Sequence, residues 1–132
     1  MIQTHEGPSI DDDSYLGYSV TAGDFANEGL QGTAVGMPKS AGHRGKVVLF
    51  TWNLINFMNI TGLQMGAYFG YSLAASDVDG DNFVDLIIGA PLHTEPNNKD
   101  DYEVGRAYVV YRRSATVNTL GLPHVEYVTG EF

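Results

Sequence analysis

The chain of 132 residues contains no cysteine, no apolar run of about eighteen residues and no segment of sustained helical periodicity. Without cysteine there is no disulfide framework and no thiol nucleophile, and the redox compartment is left open. Without a long apolar run no helix in this stretch spans a membrane, and Met1–Pro8 lacks the basic-then-apolar order of a signal peptide. Basic residues are also scarce. Seven Lys and Arg stand against sixteen Asp and Glu, a formal charge of −9, which argues against nucleic acid and anionic membrane surfaces as partners. His5, His43, His93 and His124 are scattered, no HExxH is present, and no serine lies in a G-x-S-x-G elbow. Enzymatic chemistry is therefore not expected of these residues.

What the chain does have is glycine, tyrosine and one acidic loop. Sixteen Gly and eight Tyr indicate a β-rich chain with many tight turns. In Asp77-Val78-Asp79-Gly80-Asp81-Asn82-Phe83-Val84-Asp85 four carboxylates occupy positions 1, 3, 5 and 9. That spacing suits a hard cation with oxygen ligands, above all Ca²⁺, with the backbone carbonyl of Phe83 at position 7 completing the set. Asn82 takes position 6, where a positive φ is often needed and Asn is tolerated next after Gly. An EF-hand is excluded, because position 12 is Ile88 rather than Glu and the flanks read as strands. The competing account is a solvated acidic turn, since Asp, Asn and Gly are ordinary turn residues.

A shift of 53 residues lays the chain over itself. Ser14-Tyr15-Leu16-Gly17-Tyr18-Ser19-Val20 falls on Ala67-Tyr68-Phe69-Gly70-Tyr71-Ser72-Leu73, Asp24 on Asp77, and Gly36-Met37-Pro38 on Gly89-Ala90-Pro91. After seven inserted residues Gly45–Phe50 falls on Gly105–Val110. Repeats of about 40–50 residues built from short strands mark propeller blades. The predicted strands are 17–23, 33–37, 46–52 and 56–61 in the first copy, and 70–76, 85–90, 106–112 and 124–129 in the second. A polar hairpin loop is expected over 93–103. The fold class is all-β: two four-stranded antiparallel blades of an incomplete propeller. Two blades leave apolar faces uncovered, and 128–132 resembles the opening of a third copy, so a piece of a larger protein is expected.

The Tyr68–Ser72 and Gly89–Pro91 frame around the acidic loop resembles the FG-GAP repeats of integrin alpha subunits, which form a seven-bladed extracellular propeller. Asp12–Val20 is similar to the start of the fourth blade in the subunits that recognise Arg-Gly-Asp ligands, most of all the invertebrate ones. The resemblance implies a terminal segment with a ligand-face loop at 1–13 and a blade with a degenerate cation loop at 14–66. It further implies a calcium-binding blade at 67–129 and the start of another repeat at 130–132. It places the calcium loop on the lower face and ligand loops on the upper.

By that resemblance Asp77, Asp79, Asp81, Phe83 and Asp85 bind one Ca²⁺. In the first copy the loop Asp24–Gly32 keeps an acid at positions 1 and 5 but has Ala26 and Gly32 at positions 3 and 9, so one site is expected rather than two. Asp12, or Asp13 if the register slips, would pair with the ligand's arginine. Read without the family, Asp11–Asp13 is a solvated charge run. Tyr18 and Tyr71 would line the cup that receives a basic side chain of the beta subunit, or serve as inner-strand core. Asn59-Ile60-Thr61 is a glycosylation sequon. The resemblance thus implies a cell-surface glycoprotein subunit that pairs with a beta subunit and binds extracellular-matrix protein. The alternatives are a calcium-stiffened scaffold in a secreted, phospholipase-like hydrolase or in a microbial surface protein.

Overall fold

The computed structural model describes residue 9, residues 13–95 and 104–112, and the backbone of 124–128. Asp11, Asp12, most of the 93–103 loop and the expected third-copy opening at 130–132 lie outside these residues.

Short apolar runs, most of them rich in β-branched or aromatic residues and closed by a Gly, Pro, Asn or Asp turn, form the strands. The first sheet comprises β1 (Ser19–Gly23), β2 (Gly32–Met37), β3 (Lys46–Phe50) and β4 (Asn56–Thr61). The second comprises β5 (Ser72–Ser76), β6 (Asp85–Ala90), β7 (Arg106–Tyr111) and β8 (His124–Val128). Both are antiparallel meanders in sequence order, β1-β2-β3-β4 and β5-β6-β7-β8. Two four-stranded blades were expected, and two are found. One short helical turn, α1 (Ser40–His43), interrupts the connection between β2 and β3 and is bent by left-handed Ala41 and Gly42.

The boundaries differ from expectation where turns consume residues. Both inner strands start two residues late, because the preceding turns are hydrogen-bonded elsewhere. The Tyr18 N–H donates to the Tyr15 carbonyl and the Gly17 N–H to Gly36; in the second copy Tyr71 donates to Tyr68 and Gly70 to Gly89. At the far end of β3, Thr51 closes a hairpin onto Ile55 and takes residues 51 and 52 out of the strand.

The core lies between the sheets. Ala34, Val47, Leu49, Met58 and Ile60 of the first sheet meet Leu73, Ala75, Leu86, Ile88, Ala90, Tyr108 and Val110 of the second, with Phe25, Ala67, Phe69 and Val84 sealing the margins. Ile88, Val47 and Leu86 are almost fully buried, each contributing about 1.5–3 kcal/mol. The sheets touch where Gly36 of β2 meets Gly70 in the turn before β5: a Cβ on Gly36 would overlap the Gly70 carbonyl oxygen and Ser19 Oγ. That carbonyl accepts a 2.7 Å hydrogen bond from Ser19 Oγ. Near the opposite end of β1, Gly23 approaches Val84. The sheets therefore share one orientation, with the starts of β1 and β5 together and the loops 24–31 and 77–84 together at the other end.

Candidate functional site

The loop between β5 and β6 is organised by the carboxylate of Asp77. One oxygen accepts the N–H groups of Gly80 at 2.7 Å and Asp81 at 3.2 Å, and the other accepts that of Asn82 at 2.9 Å. This curl requires left-handed backbone at Gly80 (φ 81°) and Asn82 (φ 68°), the second at the position where the spacing called for it. Asp85 begins β6 fully buried, one oxygen accepting from the Val78 N–H at 2.8 Å and the other from the Arg112 N–H at 2.9 Å.

Asp77, Asp79 and Asp85 converge, each with a carboxylate oxygen within 4.8 Å of the others. Asp81 is not in that group. Its Oδ1 accepts the Phe83 N–H at 2.9 Å, forming a local turn beside the cluster. Phe83 is half-buried behind it. Partial desolvation in the loop raises the exposed Asp79 carboxyl above its ordinary range; the Asp81 N–H opposes this, and the Asp81 and Asp85 charges reinforce it. Among the described residues no Lys or Arg side chain pairs with the three converging acids. A buried carboxylate flanked by two others without a cationic side chain fits a hard dication with oxygen ligands.

The matching loop of the first copy has the same curl without the ligands. Asp24 accepts the N–H groups of Glu28 and Gly29, each at 2.9 Å. Left-handed backbone recurs at Asn27 (φ 53°) and Gly29 (φ 75°), so Gly and Asn have exchanged places between the copies. Ala26 and Gly32 supply no oxygen where Asp79 and Asp85 stand in the second copy. Among the described residues one acidic group is placed to hold a metal ion.

The other functional candidates sit at the opposite end, about 16 Å away along a five-residue strand. Tyr18 and Tyr71 are exposed, their ring centroids 4.9 Å apart, and Tyr15 stacks on Tyr18 at 6.4 Å. A hydrogen bond to Tyr71 is the main cause that raises the Tyr18 phenol above its ordinary range. Asp13 is exposed at this same end, whereas Asp12 falls outside the described residues. Asn59 is exposed on β4 opposite Val48, in the cross-strand row Val20, Val35, Val48 on the face turned away from the second sheet.

Sequence reasoning missed one cluster. His93 is buried beside the β6–β7 connection, its Nε2 3.6 Å from Glu95 Oε1, and Glu95 also pairs with Arg106. Burial lowers the imidazole pKa, the Arg106 charge lowers it further, and Glu95 opposes both. Nearby, the Gln64 amide donates to the Thr94 carbonyl and accepts the Thr94 N–H, both at 2.8 Å, tying the inter-sheet loop to the same connection. The partners are separated by loops, and spacing alone carries no trace of their meeting.

Residues 69–110 match the model of the FG-GAP repeat. The chain is 49% identical to integrin alpha-PS2 of Drosophila melanogaster over 117 residues, which is 88% of the chain and 8% of that protein. It is 40% identical to integrin alpha-V of Gallus gallus, covering 87% of the chain and 11% of the relative. With integrin alpha pat-2 of Caenorhabditis elegans the identity is 32%, covering 86% and 10%. The chain thus spans about a tenth of the length of the relatives it matches.

Proposed function

The chain belongs to the integrin alpha subunits, as a stretch of their FG-GAP repeats, and on that premise we propose that it forms part of a receptor head for cell adhesion. In this proposal the whole subunit stands at the cell surface, pairs with a beta subunit and binds extracellular-matrix ligand of the Arg-Gly-Asp type. The observation that carries the proposal is the separation of two chemistries: converging carboxylates at one end of the sheets, exposed tyrosines and Asp13 at the other.

Asp77, Asp79 and Asp85 would hold one Ca²⁺, with Asp81 and the Phe83 carbonyl completing the shell. The ion would supply the positive charge that crowded acids need, stiffening the second sheet. The protein's own contribution is the Asp77 curl and the buried, doubly hydrogen-bonded Asp85, which preset where the acids stand. Asp12 would receive the ligand's guanidinium as a bidentate partner. Tyr18 and Tyr71 present π faces to a basic side chain of the beta subunit. Asn59, exposed on an outer strand, would carry a glycan.

The test is adhesion at equal surface density. Asp12→Ala should weaken attachment to an Arg-Gly-Asp matrix protein by at least about tenfold, as loss of one partner of a partly desolvated charge pair does, without reducing heterodimer assembly. Asp13→Ala should do less. Wild-type adhesion by both variants would remove the arginine-binding role from the acidic run.

A further inference from the structure

Leu63-Gln64-Met65, in the loop from β4 to β5, reverses the usual rule for a surface segment. Its polar residue turns inward: the Gln64 amide makes two 2.8 Å hydrogen bonds with the backbone of Thr94. Its apolar residues turn outward. Leu63 is 72% exposed and Met65 68%, the highest values for large hydrophobic side chains among the described residues. Holding a Gln inward while a Leu and a Met face water opposes the hydrophobic effect, and local breaks of this kind mark interaction sites.

The segment is fastened to the β2–β3 connection. The Gly66 N–H donates to the His43 carbonyl at 2.7 Å, and the Gly62 N–H to the Gly45 carbonyl at 2.9 Å. His43 and Arg44 are exposed there, so an imidazole and a guanidinium leave the backbone beside Leu63 and Met65. The charge of this region has one sign. No Asp or Glu occurs between Glu28 and Asp77, and that stretch carries Lys39, Arg44 and Lys46 in a chain of net charge −9. The Lys39 ammonium is taken up by Tyr15, 4.0 Å from its ring centroid. The Arg44 guanidinium has no ion pair or side-chain hydrogen bond among the described residues. The corner also stands apart from the tyrosine pair. Tyr18 precedes β1 and Leu63 follows β4, three strand spacings or about 14 Å across the first sheet.

We propose that Leu63, Met65 and Arg44 form a docking surface for a protein segment that joins an apolar side chain to a carboxylate. The segment belongs to the matrix ligand, outside its Arg-Gly-Asp motif. Its chemistry follows from what the corner offers: two apolar side chains without cover, and a guanidinium that no described acid answers. The distance from the tyrosine pair leaves the corner open when the beta subunit occupies the centre. It is therefore a second contact, which an intact ligand reaches and a short motif peptide does not. The inference rests on the adhesion reading above.

The experiment uses the full-length heterodimer and compares binding of an intact Arg-Gly-Asp matrix protein with that of a short Arg-Gly-Asp peptide. Leu63→Ser combined with Met65→Ser should weaken binding of the intact protein by about tenfold at low and high salt alike, as loss of a covered apolar pair does. Arg44→Glu should weaken it by about threefold to tenfold at low salt and by less at high salt. Both variants should bind the short peptide within about twofold of wild type and assemble normally with the beta subunit, because the replaced side chains are exposed. Unchanged binding of the intact protein, or an equal loss with the peptide, overturns the inference alone. Reduced heterodimer yield would put the beta subunit on this surface and overturn the assigned occupant. Competition by heparin that Arg44→Glu abolishes and the apolar double variant leaves intact would assign a sulfated polysaccharide, and overturn it likewise. Failure of the wild type to bind either probe overturns the adhesion proposal and this inference with it.

Discussion

Asp24 and Asp77, one in each copy, make the same pair of hydrogen bonds, each carboxylate accepting from the backbone N–H groups four and five residues on. The curl of both loops is thus set by one side chain and two left-handed residues. The first loop has this curl although two of its four acid positions are Ala26 and Gly32. The difference between the copies lies in which oxygens the finished curl presents.

That difference is not repaired by restoring acids. Ala26→Asp alone should leave the first loop without measurable calcium affinity, because position 9 still lacks a carboxylate. Gly32→Asp should destabilise by about 1–3 kcal/mol, since a Cβ there would run into the Phe50 carbonyl oxygen. Chemical denaturation of the ectodomain, with and without Ca²⁺, reports both effects.

The contact between the sheets should be equally intolerant. Gly36→Ala places a methyl group against Ser19 Oγ, which the pairing of β1 with β2 sets opposite Gly36, and against the Gly70 carbonyl to which that hydroxyl donates. It should reduce surface expression and lower the melting temperature by several degrees, an overpacking cost of about 1–3 kcal/mol. Ser19→Ala removes only the hydrogen bond to Gly70 and should cost about 0.5–1.5 kcal/mol.

His93 supplies a pH dependence. Its folded pKa is depressed, by burial first and then by Arg106, so below the ordinary histidine range the unfolded chain binds more protons than the folded one. Stability should be at its plateau above about pH 6.5 and fall as pH drops below it. His93→Leu also removes a buried imidazole whose two nitrogens lack hydrogen-bond partners among the described residues. It should flatten melting temperature against pH between 7 and 5 without loss at pH 7. An unchanged slope would locate the dependence elsewhere.

The strands were legible because Val47–Phe50, Leu86–Ala90 and Tyr108–Val110 are short apolar runs punctuated by Gly and Pro, and because the copies repeat at a fixed offset. The left-handed Asn82 was legible from its place in the acidic spacing. The side turn of Asp81 was not, because an Asp two residues before an available N–H can bond to it or face a cation, and the spacing is the same for both. The Glu95 bridge to His93 and Arg106 was hidden by the loop between its partners. The placement of Lys39 over the Tyr15 ring, 4.0 Å from its centroid, had only a faint signal, a Lys standing where the other copy has Leu92.

The most direct measurement is calcium stoichiometry by calorimetry on the full ectodomain paired with its beta subunit. Asp79→Ala and Asp85→Asn should each lower the number of bound Ca²⁺ by one and lower the melting temperature in calcium, whereas Asp24→Asn should leave the stoichiometry unchanged. At roughly millimolar Ca²⁺ a site ten times tighter than the free concentration is worth about 1.4 kcal/mol, enough to be read as a shift of several degrees for a small domain. Unchanged stoichiometry and melting for Asp79→Ala and Asp85→Asn would show that the loop from Asp77 to Asp85 is an acidic turn and not a metal site.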